Sequence, residues 1–243
     1  MLLDRRAGPD LILFVHGLGC AGESFAPVWD HPALRGLSLL APDLPGHGEC
    51  PRAGPCTMQA CARSLAGMLA RHPAERVHLV GHSLGGAVGL LLAAQVGSRL
   101  ASFVCAEGNL LPDDCGLLSR GVAATPIVEF LDDGFRRMIE GARADSGARS
   151  WAVWAAQADP RAFHEAASDV VRWSDSGELL ARFLALPVPH AYLCGARSRL
   201  RAVTDRLGDV PVVEIPDAGH GLFEDQPDIV CRWLGAWLRG CAS

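Results

Sequence analysis

The stretch Arg76-Val77-His78-Leu79-Val80-Gly81-His82-Ser83-Leu84-Gly85-Gly86-Ala87-Val88-Gly89-Leu90-Leu91-Leu92-Ala93-Ala94-Gln95 passes from one apolar run to another through a Gly-x-Ser-x-Gly. The first run, up to Val80, reads as a short buried strand, and the Ala/Leu-rich second run, from Gly86, as a helix. A serine placed between two such elements is a nucleophile elbow. Its glycines are needed because so tight a turn has no room for Cβ atoms beside the serine. The Ser83 hydroxyl is thereby held out at the end of a sheet, over a helix N-terminus whose free N–H groups favour developing negative charge. With 27 Gly in 243 residues, the five-residue pattern alone arises by chance in about one such chain in five. The strand-motif-helix context is what gives it meaning; otherwise it is a Gly-rich turn with an idle serine.

Around the elbow, short apolar runs alternate with amphipathic segments, the pattern of an α/β protein with a parallel sheet covered by helices. Leu11-Ile12-Leu13-Phe14-Val15 is a strand ending at His16-Gly17, and a short helix over 23–29 follows. The strand at 37–41 is stopped by Pro42-Asp43-Leu44-Pro45-Gly46-His47-Gly48, and Thr57 caps a helix expected to run to about 72. A strand over 100–106 comes after the elbow helix. From 110 to 186 the periodicity becomes helical throughout, with about four helices containing Trp151, Trp154 and Trp173. Strands resume at 190–194 and 210–215, and a last helix over 228–239 carries Ile229, Trp233 and Trp237 on one face. The division expected is a core of 1–109 and 187–243, with 110–186 folded over Ser83 as a helical cap. The three tryptophans of that segment fit packing better than a pocket wall.

Length and charge narrow the function classes. A chain of 243 residues suits one domain. The net charge of −5, without a basic cluster, argues against nucleic acid or an anionic membrane as partner. No apolar run reaches the roughly 18 residues of a membrane span, and no secretory leader is recognisable at Met1-Leu2-Leu3-Asp4-Arg5-Arg6. Nine Cys, an odd number with no Cys-x-x-Cys spacing, suggest neither a disulfide framework nor a zinc site. Most of them read as small buried hydrophobes in a reducing cytoplasm, with Cys20 near the Gly17 turn the one to watch. No phosphate loop, dinucleotide fingerprint or metal spacing implies a cofactor or a metal.

A serine hydroxyl is a poor nucleophile until a base takes its proton and a third group orients that base. Among nine histidines, His220 in Ile215-Pro216-Asp217-Ala218-Gly219-His220-Gly221 lies just past the last strand, where an imidazole can reach Ser83. His31, His72, His78, His164 and His190 read as surface or packing residues, and His16 as a structural hydrogen-bonder. The loop His16-Gly17-Leu18-Gly19 ends its strand so that the Leu18 N–H, with the Leu84 N–H, can hold an oxyanion. Gly17 and His82 then fall beside the reacting carbonyl and are expected to contact substrate.

His16-Gly17-Leu18-Gly19, Asp43-Leu44-Pro45-Gly46-His47-Gly48, Gly81-His82-Ser83-Leu84-Gly85-Gly86 and Gly219-His220, in that order, resemble the α/β-hydrolase superfamily over nearly the whole chain. The resemblance implies the α/β-hydrolase fold, with a cap inserted after the sixth family strand. It also implies a Ser…acid…His order and ester, amide or thioester chemistry on a small-molecule acyl substrate. Two departures stand out. Only ten residues precede Leu11, so part of the usual leading sheet edge should be missing. The usual acid position after the seventh family strand reads Gly195-Ala196-Arg197-Ser198, with no carboxylate.

A subset of the superfamily takes its acid from the end of the sixth strand, here Ala106-Glu107-Gly108-Asn109, which makes Glu107 the first choice. Asp205 is the second. Asp113 and Asp114 reach only if their loop folds back, and a Ser-His dyad with Ser198 in the old acid site is a further option. Glu107's duller role is a buried acid bracing loop backbone. The leading expectation is a serine hydrolase acting on an ester, thioester or lactone. C–C bond hydrolysis, cofactor-free lyase chemistry, or a catalytically weak binding protein of the same fold are the alternatives. A serine at the elbow argues against dehalogenase or epoxide hydrolase activity.

Overall fold

In the computed structural model, which describes residues 2–198 and 200–241, seven strands join in one sheet. They are β1 (Leu2–Arg5), β2 (Asp10–Val15), β3 (Ser38–Pro42), β4 (Arg76–His82), β5 (Leu100–Ala106), β6 (His190–Gly195) and β7 (Val212–Ile215). Their spatial order is β1-β3-β2-β4-β5-β6-β7. β1 pairs antiparallel with β3, and every other pairing is parallel. The strands β2 and β4 are buried on both faces, which is why they read as continuous apolar runs rather than alternating ones.

The strand order sets where a site can form. From β2 the chain crosses to β3 on one side, and β4 returns to the other side of β2. In open α/β sheets the crevice at such a reversal, outside the carboxyl ends of the strands, is the binding position. Here those ends carry Gly17 and Ser83.

Two apolar cores lie on opposite faces of the sheet. One contains Leu65, Leu84, Val88, Phe103, Phe163 and Tyr192. The other contains Phe14, Phe25, Val104, Phe223, Leu234 and Leu238. The helix Leu84–Val96 is buried continuously from Leu84 to Ala93, so it has apolar residues all round instead of a single stripe. Thr57 caps Met58–Leu69 by accepting from Ala60 N. That helix stops at Leu69, short of the expected end, because 71 and 72 close into turn bonds onto residues 68 and 69. β7 starts two residues late: Val210 N is spent on Leu207 O and Pro211 has no N–H to give the ladder. At the leading edge β1 does form, with Leu3 opposite Ala41.

Between β5 and β6 the elements are helical: Gly116–Ala124, Ile127–Glu129 continuing through a π turn into Phe135–Ala144, then Arg149–Ala155, Pro160–Ser176 and Glu178–Leu184. The longest, Pro160–Ser176, is fastened to the sheet-side loops by carboxylates. Asp169 accepts from Met58 N at 2.8 Å, and Glu165 accepts from Cys56 N and from Arg52 at 3.0 Å each. Ser174 Oγ donates to Asn109 O at 3.0 Å.

Candidate active site

Ser83 has φ 54° and ψ −124°, a conformation that L-residues avoid. Neighbouring glycines make it possible: a Cβ on Gly81 would lie 2.4 Å from Gly85 O, and one on Gly85 would lie 2.0 Å from Val15 O. The elbow is tied to the next strand by Ser83 N donating to Ala106 O at 3.0 Å. Leu84 is the first residue of the following helix, where an N–H has no intrahelical acceptor. Ser83 itself is only partly buried.

His220 and Glu107 meet. His220 Nδ1 is 2.6 Å from Glu107 Oε2, while Glu107 Oε1 accepts from Gly195 N at 2.7 Å. The Glu107 side chain is 2% exposed and that of His220 57%. Burial alone would raise the Glu107 carboxyl. The bond to His220, its charge, the Ser198 hydroxyl and the Gly195 N–H outweigh that and hold it below the ordinary carboxylate value. With Nδ1–H committed to Glu107, the lone pair of His220 is on Nε2. Among the described residues no hydrogen bond joins Ser83 Oγ to His220 Nε2; in free enzymes such bonds are often long and tighten on substrate binding.

The His220 loop is built by contacts that no motif announced. Gly195 closes β6 without a Cβ, and one there would lie 2.5 Å from both Ala218 O and Gly219 O, so only glycine lets the loop approach Glu107. Asp225 accepts from Gly219 N at 2.7 Å and from Arg197 at 2.8 Å, and Asp217 takes a positive φ of 54°. The Gly after the strand was the available signal; Asp225 carried none.

His82, expected to contact substrate, is bonded to the His220 loop. It is buried, and its Nε2–H donates to His220 O at 2.8 Å with the two rings 4.8 Å apart. Burial, then the neighbouring His220, push its pKa down to about 4, so it supports the His220 loop as a neutral ring.

On the β2 side, Gly17 lies against Ser83: a Cβ on Gly17 would be 3.1 Å from Ser83 Cβ. The peptide that carries the Leu18 N–H has its carbonyl, Gly17 O, held by His16 Nδ1–H at 2.8 Å and Cys20 N at 3.1 Å. His16 Nε2 accepts from Leu44 N at 2.9 Å. That explains the Asp43-Leu44-Pro45-Gly46-His47-Gly48 motif, in which Asp43 in turn accepts from Gly22 N and Glu49 N. Burial pushes His16 down to about 3, so it is a neutral brace, as expected of a structural hydrogen-bonder. From the inserted helices, Trp151 Nε1–H donates to Leu18 O at 2.9 Å. Burial pushes the Cys20 thiol up to about 12, which leaves it inert.

The other acid candidates are elsewhere. Asp205 ends the short helix Arg201–Thr204. Asp114 turns to its own loop, accepting from Leu110 N and Leu111 N, and burial raises it to about 7. Asp113 is exposed. Ser198 stands beside Glu107 rather than replacing it. Among the described residues no cluster of three or more His, Cys, Asp or Glu is arranged for a metal ion, and no helix is long and apolar enough to cross a membrane.

An elbow serine with positive φ at the sheet reversal, beside the Gly17 turn and an acid-bonded histidine, defines the α/β-hydrolase class. The chain belongs to the Alpha/beta hydrolase family, whose model matches residues 12–233. It is 32% identical to Lipase LipV of Mycobacterium tuberculosis over 146 residues, 60% of this chain and 53% of that one, so the match spans about half of the lipase. It is 26% identical over 229 residues to a 2-succinyl-6-hydroxy-2,4-cyclohexadiene-1-carboxylate synthase of Pectobacterium atrosepticum, covering 89% and 88% of the two chains. Among solved structures, a thermophilic esterase from Thermogutta terrifontis superposes with a TM-score of 0.78 at 25% identity, covering 100% of this chain and 94% of the esterase.

Proposed function

We propose that this protein is a serine hydrolase that cleaves a carboxylic ester, thioester or lactone through an acyl-enzyme. The observation that carries the reading is the 2.6 Å contact of His220 Nδ1 with Glu107, a buried carboxylate one residue past the strand that anchors the Ser83 elbow. In this mechanism Ser83 Oγ attacks the substrate carbonyl as His220 Nε2 takes its proton. Glu107 holds the Nδ1–H tautomer and stabilises the imidazolium. The Leu18 and Leu84 N–H groups receive the oxyanion. Collapse expels the alcohol or thiol, which takes the proton from His220, and leaves the acyl group on Ser83. Water, deprotonated by His220, then attacks the acyl carbonyl. Release of the acid returns the proton to Ser83. Its family membership and its likeness to a lipase and an esterase support the hydrolytic reading. A reducing compartment such as the cytoplasm suits its nine unpaired cysteines.

A second reading, C–C bond hydrolysis or cofactor-free lyase chemistry with the same residues, is favoured by the near full-length match to the synthases. Assaying p-nitrophenyl esters of graded chain length beside acyl thioesters tests the first reading. Turnover should be lost in Ser83→Ala, with a pre-steady-state burst wherever deacylation is slow. Turnover that Ser83→Ala leaves intact refutes the mechanism. No turnover of any ester or thioester by the folded wild-type protein transfers the case to the second reading.

A further inference from the structure

We infer that Trp151, on an inserted helix far from the catalytic motifs, is a positioning residue for the oxyanion site: its indole N–H holds the turn that presents the Leu18 N–H. The inference rests on the acyl-transfer reading of Ser83. Residues 17–20 form a β-turn closed by Cys20 N donating to Gly17 O at 3.1 Å. Gly19, at its third position, has φ +70°, which is the mark of a type II turn. Type I and type II turns differ by a flip of the central peptide, here Leu18–Gly19, and a glycine at this position accepts either form.

The two peptides flanking Leu18 are therefore held by different parts of the molecule. The one before it is gripped at Gly17 O by His16 and Cys20, and His16 is fixed in turn by Leu44. The one after it has its carbonyl on Trp151 Nε1 at 2.9 Å. That bond fixes the Leu18–Gly19 peptide, whose N–H is that of Gly19, and so anchors Leu18 from its C-terminal side while His16 and Cys20 hold the peptide that carries the Leu18 N–H. The indole also packs where a Gly19 Cβ would be, at 2.9 Å, with Phe163 at 2.8 Å, so the ring sits flush on the turn. The preceding residue, Ser150, stands beside Glu224 in the helix that follows the His220 loop. One helical segment, Arg149–Ala155, thus touches both halves of the site, and the oxyanion turn takes its working form only with that helix docked.

Removing the N–H while keeping the ring tests this. Trp151→Phe, and protein carrying 3-benzothienylalanine in place of Trp151 (the same bicycle with sulfur in place of N–H), are compared with wild type on a p-nitrophenyl ester. An alkyl trifluoromethyl ketone, which forms an oxyanion with the serine, and the matching methyl ketone, which does not, serve as inhibitors. We expect kcat to fall about tenfold, less than the 10²–10³ for outright loss of a donor, with KM within twofold. Trifluoromethyl ketone affinity should fall by a similar factor and methyl ketone affinity should not change. Val153→Ser, on the same helix and 61% exposed, should match wild type. A KM increase at constant kcat, or equal losses for the two ketones, would show a mere wall of the pocket and overturn the inference. Should Trp151→Phe fail to fold, the isosteric benzothienyl protein decides alone. Wild-type protein whose turnover survives Ser83→Ala would instead refute acyl transfer, and this inference with it.

Discussion

Replacing Glu107 with Gln changes one atom in a buried site. Glu107 Oε1 accepts from Gly195 N and Oε2 faces His220 Nδ1, in a side chain 2% exposed. A glutamine has one acceptor and one donor end for these two positions. Keeping its oxygen on Gly195 N–H turns its NH2 toward His220, and the imidazole must then move its proton to Nε2, the atom that should accept from Ser83. Reversing the amide instead sets NH2 against the Gly195 N–H, leaving that buried donor unpaired at a cost of about 1–3 kcal/mol. The first arrangement is therefore the favoured one, and it removes the base. Fixing the wrong tautomer in this way lowers kcat by about 10⁴ where the orienting acid of a serine triad has been made an amide. We expect kcat for a p-nitrophenyl ester to fall on the order of 10³–10⁴, with KM near wild type and a native circular dichroism spectrum. Asp205→Asn, assayed beside it, should stay within twofold. Glu107→Gln retaining a tenth or more of wild-type kcat, or losing less than Asp205→Asn, refutes the role assigned to Glu107.

Gly85→Ala would bring a Cβ to 2.0 Å from Val15 O, a backbone atom that cannot step aside; we expect at least about 3 kcal/mol of destabilisation in urea melts. Gly67→Ala, in the helix Met58–Leu69 with only the Arg71 guanidinium near the new Cβ, at an ordinary 4.0 Å, should instead gain about 0.5–1 kcal/mol. Asp114 is raised to about 7 in the fold from an ordinary 3.8, so the unfolded chain releases this proton first. Its penalty on stability therefore grows between those two pH values and is constant above. Asp114→Asn should raise the thermal midpoint at pH 8 and progressively less toward pH 4, and a pH-independent difference would contradict this. Asp169→Ala, which takes the acceptor from Met58 N, should cost about 1–2 kcal/mol in the same melts.

The elbow was legible because strand, turn and helix are each written locally: apolar run, paired glycines, Ala/Leu-rich run. His220 was legible from its place after the last strand. Glu107 could be narrowed to one of several carboxylates because the end of β5 is a local feature, whereas its contact with His220 depends on how far the 216–221 loop swings back. That swing is set by the bare Gly195 and by the Arg197–Asp225–Gly219 bonds, which join residues up to 28 apart. The bond of His82 to the histidine loop was not legible for a related reason: which neighbours a residue beside the nucleophile meets is decided by tertiary packing. Trp151 was readable only as a core aromatic, since its partner is a backbone carbonyl 133 residues away.

Reaction with a fluorophosphonate, followed by peptide mass mapping, addresses the nucleophile itself. The adduct should appear on Ser83 alone, form within minutes in wild-type protein, vanish in Ser83→Ala and slow at least a thousandfold in His220→Ala. An adduct on any other residue, or one that forms on Ser83 at an unchanged rate without His220, would contradict the proposed acyl transfer.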